Sequence, residues 1–346
     1  MAATKPAATA WGKRAWARLS RVLKGQDRVL ILPHDYPDPD ALAAGWALAE
    51  LCRRKLRTAA RLAYSGEIDR PENRAMVKLL GVPARPLSAL DFSRKQAVVL
   101  VDASPGGGNN PVETPEEVTA VLDNHYGAST LGLGSRLRRS CGATSTMASE
   151  LLLAARLRVS AKMATALFYG IKTDTQALGR EAARADETAY RWLFPLVDHR
   201  TLARIERPRL PLYTYRMLND ALDGARYYGR KIRAVVTAMG KLAGREGPAS
   251  AVDHLVRLEG VRYALAHGYW EGRQVFSVRS LDRKRQAWHL ARAAAGNEGL
   301  AGGHAFSAGG TVTVHTVKAG FRAGHRLERR FLKATRVGKK RGRSLV

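Results

Sequence analysis

The stretch Val29-Leu30-Ile31-Leu32-Pro33-His34-Asp35-Tyr36-Pro37-Asp38-Pro39-Asp40 decides the fold. An unbroken aliphatic run reads as a strand buried on both faces, as in parallel sheets. His34, Asp38 and Asp40 follow it in a loop stiffened by two prolines. The pattern recurs along the chain. Asp102 follows Val98-Val99-Leu100-Val101, Asp123 and His125 follow Val121-Leu122, and Asp174 follows Phe168-Tyr169-Gly170-Ile171. Open α/β sheets bind ligands at the carboxyl ends of their strands. Carboxylates and imidazoles gathered there suit divalent cations. Read one at a time, the same residues have plainer uses. Asp40 suits a helix N-cap, and Asp102 suits a strand-end turn.

Outward from this stretch, strands are expected at 28–33, 59–64, 97–102 and 119–123. Helices are expected at about 11–24, 40–56, 72–80, 143–157 and 160–170. The alternation predicts an α/β parallel sheet with helices on both faces. Residues 186–225 read as helical and broken by Pro195, Pro208 and Pro211. A smaller α/β domain then follows, with strands at 232–238, 261–267, 274–279 and 311–317 and helices at 249–258 and 283–295. The expected organisation is a basic extension over 1–26, a metal-binding domain over 27–190, a helical linker over 191–228, a substrate domain over 229–318 and a basic tail over 319–346. Gly299–Gly310 reads as a Gly-rich loop around His304, and Arg279 as a phosphate or carboxylate fork at a strand end.

Lys and Arg number 58 against 30 Asp and Glu, for a net charge of +28. That excess favours a polyanionic partner, short nucleotides or single-stranded nucleic-acid ends. It is concentrated at the two ends, which read equally well as solvated tails. Cys52 and Cys141 are the only cysteines and have no CxxC partner, so no disulfide framework is expected. No apolar run approaches the ~20 residues that span a membrane. A signal-peptide core is also absent, and a cytoplasmic location is expected. Homodimerisation is compatible with this reading.

The order of these motifs resembles the DHH phosphoesterase family with its DHH-associated C-terminal domain. His34 to Asp40 is similar to the first motif, H-x-x-x-D-x-D, and Asp102 to the second. Asp123-Asn124-His125 stands where Asp-His-His belongs, and Gly170 to Thr175 matches G-I-x-x-D-T. Gly302-Gly303-His304 with Ala308-Gly309 resembles the GGGH-x-x-AAG signature, and Ser277 to Ser280 resembles its S-x-R-S strand. The resemblance implies two manganese ions, replaceable by Mg²⁺ or Co²⁺, in a cleft between the domains. His34, Asp38 and Asp102 would hold one ion, and Asp40, Asp102 and Asp174 the other. Asp102 and His125 would be catalytic, and Arg279, Gly302, Gly303 and His304 would grip a substrate phosphate. Asn124 departs from the family's ligating His, so either Asn124 or His125 completes the second site. The implied activity is hydrolysis of oligoribonucleotides, pAp-type nucleotides or cyclic dinucleotides. A RecJ-like exonuclease is the neighbouring alternative, and a catalytically degenerate nucleotide-binding protein is another.

Overall fold

A computed structural model describes residues 6–88, 96–105, 109–112, 114–125, 136–137, 139–229, 233–303, 305–337 and 342–346. The chain divides into two units, Met1–Pro208 and Arg209–Val346.

The first unit is built on a parallel sheet. Its strands are β1 (Arg28–Pro33), β2 (Ala59–Tyr64), β3 (Ala84–Pro86), β4 (Ala97–Val101), β5 (Ala120–Leu122) and β6 (Arg136–Leu137). They lie in the order β3-β2-β1-β4-β5-β6, and every neighbouring pair is parallel. The sheet grows outward from β1 and reverses direction beside β4, so the ends of β1 and β4 flank a switch point. The register sets Pro33 opposite Val101, and the following residues, His34 and Asp102, leave the sheet side by side.

Among the described residues seven helices accompany this sheet: α1 (Ala10–Leu23), α2 (Pro39–Leu51), α3 (Pro71–Leu80), α4 (Thr144–Ala154), α5 (Ala161–Asp174), α6 (Arg184–Leu193) and α7 (His199–Glu206). α2 is Ala-rich and buried along nearly its whole length, and a π-helical turn over Cys52–Leu56 extends it to the left-handed Arg57. All seven contribute to one core with the Val29, Ile31, Val99 and Leu122 face. The pattern predicts helices on the opposite face, with Leu30, Leu32, Leu100 and Val121, as well. Among the described residues that face packs under Ala103, Val112, Val118 and Leu87 instead. Among the described residues the connection from β4 to β5 forms a 3₁₀ turn at Pro115–Glu117.

The second unit is a mixed sheet. It comprises β7 (Ala225–Tyr228), β8 (Ala234–Lys241), β9 (Tyr263–Trp270), β10 (Arg273–Ser280), β11 (Gly299–Gly303), β12 (Ser307–Thr313) and β13 (Arg343–Ser344). The order is β11-β12-β10-β9-β8-β7-β13, antiparallel throughout except for β8 and β9. β9 and β10 join through Glu271-Gly272, both at positive φ as a two-residue hairpin turn requires. α8 (Leu212–Asp223) and α9 (Gly247–Leu255) share one core with the sheet. α10 (Ala287–Ala295) and α11 (Val317–Thr335) share the other.

Both basic ends differ from solvated tails. α1 buries Ala15, Leu19 and Leu23, and Trp11 lies under the Arg139 guanidinium at 5.3 Å. α11 buries Leu327 and Phe331 completely or nearly so. In each case an apolar stripe at helical spacing runs through the basic sequence and fixes one face inward. No described helix is long and apolar enough to cross a membrane.

Candidate metal centre

β1 ends at Pro33, and the loop after it is held in place by its neighbours. Asp35 N–H donates to Asn109 O at 2.6 Å, and Tyr36 N–H to Ser65 O at 2.9 Å. His34 Nδ1 lies 2.9 Å from Asp35 O, which fixes the ring and aims Nε2 at the carboxylates. Nε2 is 3.8 Å from Asp38 Oδ1 and 3.6 Å from Asp102 Oδ2. Asp38, rather than Asp40, is the N-cap of α2, accepting from Ala41 N–H at 3.0 Å.

Asp40 is fully buried and has a separate task. Its Oδ2 accepts from Thr144 N–H and its Oδ1 from Ser145 N–H, both at 2.7 Å. These amides open α4, so the carboxylate sits on a helix N-terminus, where orphan donors and the helix dipole favour negative charge. α5 passes so close at Gly170 that a Cβ there would meet Ser145 Oγ at 2.5 Å and Asp40 Cα at 2.9 Å. The glycine of G-I-x-x-D-T is thus a requirement of helix approach.

Asp102 follows β4 in a left-handed conformation, φ 55°, which Asp tolerates better than most residues. Its carboxylate lies between two histidines, with Oδ1 3.5 Å from His125 Nδ1. Thr144 Oγ lies 2.8 Å from Asp102 Oδ1 and 2.9 Å from Asn124 Oδ1. His125 Nδ1 is 2.7 Å from Asp123 Oδ1, and Ser104 donates to the other oxygen of Asp123. Two sets of ligand atoms result, His34 with Asp38 and Asp102, and Asp102 with Asp123 and His125. Asp102 belongs to both.

The charges are strongly interdependent. Burial lifts Asp40 and Asp174 well above the usual carboxylate range, and the other acids push them further: Asp102 and Asp38 act on Asp40, and Asp38, Asp40 and Asp102 on Asp174. Asp102 is also raised, by burial and Asp38, against the pull of both histidines. Burial would lower the histidines, but the carboxylates prevail. Asp38 and Asp102 lift His34 to about 10, and Asp102 with Asp123 lifts His125 to about 9. Asp123 stays below its ordinary value despite burial, because His125 and Ser104 bond to it. A divalent cation would offset the repulsion among these acids. The hard oxygens and imidazole nitrogens also suit such a cation, so the residues present fit the metal that the resemblance implies.

Some sequence expectations need correction. Asn124 lies beside these ligand sets: its Oδ1 meets Thr144 and its Nδ2 donates to Cys141 O at 3.0 Å, while His125 belongs to the second set. Asp174 ends α5, the helix expected at 160–170, which runs four residues further. It joins the cluster electrostatically, and Arg180, which follows left-handed residues Gln176, Ala177 and Leu178, offsets a small part of the rise in its pKa. The Gly-rich loop is a β-hairpin of β11 and β12, with Gly302 opposite Gly309 and Gly303 opposite Ala308. Gly303 has φ 140°, and a Cβ there would meet Ala308 Cα at 2.5 Å. His304 lies outside the described residues. Arg279 pairs with Ser307 across the ladder, at the same end of the sheet as Gly303, and its Nε bonds Asp253 Oδ1 at 2.6 Å. Sequence reasoning misses Thr144, Ser145 and Arg180. The run Thr144-Ser145-Thr146 at a helix start is the available signal for the first two.

No family model matches the chain. It is 28% identical over 291 residues to an uncharacterised protein of Methanocaldococcus jannaschii, covering 84% of this chain. The chain spans 59% of that relative's length. Among solved structures it superposes on an exopolyphosphatase-related protein of Bacteroides fragilis with a TM-score of 0.71 and 15% identity, covering 93% of this chain and 98% of that one. RecJ of Thermus thermophilus in complex with Mn²⁺ gives a TM-score of 0.53 and 16% identity, over 97% of this chain and 57% of RecJ. The chain shares the fold of these two structures. The acid and imidazole cluster described above lies at the carboxyl edge of its parallel sheet.

Proposed function

We propose that this protein is a manganese-dependent phosphoesterase that hydrolyses short nucleotide substrates, oligoribonucleotides, pAp-type nucleotides or cyclic dinucleotides. The observation that carries the reading is the shared position of Asp102 in two ligand sets at the carboxyl edge of the sheet. Cations bound there would activate a water for attack on phosphorus and neutralise charge on the phosphate.

The chain's own residues would divide the work as follows. His34, Asp38 and Asp102 hold one ion. Asp102 contributes to the second, which His125 completes rather than Asn124, whose amide is committed to Thr144 and Cys141. Asp40 and Asp174 supply negative charge behind the ligands. Thr144 and Ser145 fix Asp40 and Asp102 so that little reorganisation accompanies the reaction. Arg279 and the glycine hairpin, with His304, grip a substrate phosphate, and positioning of this kind is most of what phosphoryl transfer asks of a protein.

The test is hydrolysis of a 5′-phosphorylated diadenylate with Mn²⁺, beside a metal-free control and Asp102→Ala. Removing a shared ligand forfeits several kcal/mol of transition-state stabilisation, so Asp102→Ala should lose at least about 1,000-fold in turnover. Release of mononucleotide without metal, or unchanged turnover in the variant, would overturn the proposal. Nucleotide binding without turnover would favour the degenerate binding protein that Asn124 suggests.

A further inference from the structure

Outside the metal centre, the outer face of α11 carries an uncompensated row of bases. Lys318, Arg322, Arg329 and Lys333 are exposed along it, and Arg336 caps its end. Their spacing, with the exposed His325 between, follows steps of three and four residues, which sets them on one face of the helix. At 1.5 Å per residue the stripe runs roughly 27 Å. The other bases of this helix are balanced. Arg326 and Arg330 bond Glu298 at 2.7 and 2.6 Å, and the helix's lone acid, Glu328, faces His267 at 2.9 Å and His325 at 3.8 Å. Among the described residues no ion pair engages Lys318, Arg322, Arg329, Lys333 or Arg336. Like charges at these intervals repel, so a single-signed row is a cost to the helix that a polyanion would reverse.

We infer that the solvent face of α11 is a docking track for the phosphate backbone of single-stranded nucleic acid longer than the hydrolysed ends. Phe321, 46% exposed and flanking the basic row, adds a ring for base stacking, the usual complement to an electrostatic track. An anionic membrane is the poorer fit. A membrane-surface helix inserts its apolar face, and here Ala323, Leu327 and Phe331 are already spent in the core of the second unit. The inference goes beyond the proposed hydrolysis and stands without it, since docking needs neither cation nor turnover.

The experiment uses the full chain with chelator, so that nothing is cleaved. Binding of a fluorescent 12-nucleotide single strand is followed by anisotropy across a salt series. In the triple variant Arg322→Gln, Arg329→Gln, Lys333→Gln, affinity should fall at least about tenfold. The slope of log affinity against log salt should fall by about 2, at ~0.7 for each phosphate no longer neutralised. A matched triple on α1, Lys13→Gln, Arg14→Gln, Arg21→Gln, removes equal charge elsewhere and should leave most of the affinity. Thermal melting identical to the parent confirms that the surface changes leave the fold intact. Equal losses in both triples would reduce the effect to net charge and overturn the inference. So would unchanged binding in the α11 variant, or phosphatidylserine vesicles that outcompete the strand.

Discussion

At the scale of single residues, the two histidines set the pH behaviour. Their pKa values are raised above the ordinary 6.5 by neighbouring carboxylates, His34 to about 10 and His125 to about 9. The stability they contribute is therefore complete below about 6.5 and is lost as pH rises through 9 and then 10. A cation must displace those protons, so its apparent affinity rises over the same interval. The binding free energy of Mn²⁺ should strengthen from pH 6 to pH 9 by at most ~1.4 kcal/mol per proton and pH unit, so the gain in melting temperature on adding excess Mn²⁺ should grow steadily over that range. A flat difference would sink this account. Gly170→Ala gives a second check. Its Cβ would press on Ser145 and Asp40, so a loss of about 1–3 kcal/mol in urea denaturation is expected, with weaker cation binding. Gly302→Ala meets nothing within 4 Å and should be near neutral. His34, Asp38 and Asp102 were legible because each follows a strand that aims it. The grip of Thr144 and Ser145 on Asp40 was not, because it joins positions about a hundred residues apart, and nothing local announces it. The contacts of Asn124 with Thr144 and Cys141, 20 and 17 residues on, were hidden because no local pattern announces them either.

At the scale of elements, most strands of the first sheet could be read from their aliphatic runs. The short β3 and β6 could not, since neither holds enough apolar residues to show a period. Phe168 to Ile171 was legible as helix, and only its end was short: the expected 160–170 runs on to Asp174. Glycine composition misled at 299–303, where the missing side chains let two backbones pair closely rather than leave a loop. The tail from about 319 reads as amphipathic at first and then purely basic, and the inner stripe of Ala323, Leu327 and Phe331 carries α11 on to Thr335. The contrast between its faces is measurable. Phe331→Ala should cost about 3–5 kcal/mol by opening the second unit's core. Arg329→Ala should stay within about 0.5 kcal/mol, and chemical denaturation distinguishes the two. A small loss at Phe331 would mean that α11 is dispensable to its unit.

At the scale of the whole molecule, composition pointed to two α/β units, and the division after Pro208 falls in the stretch where three prolines interrupt the helices. The boundary itself was illegible, because α6 and α7 look like connectors in sequence yet pack into the first core, while α8 packs into the second. The carboxylates and imidazoles of the first unit carry one further consequence for the molecule as an electrolyte. Near neutral pH both histidines of the cluster hold protons, and each cation that enters must expel them. Two dications bring four positive charges against the two protons the histidines release, a net gain of about two on a chain that carries +28 with its histidines neutral. Electrophoretic mobility toward the cathode should therefore rise slightly as the centre fills. The heat of filling, by contrast, should follow the ionisation enthalpy of whatever buffer collects the protons.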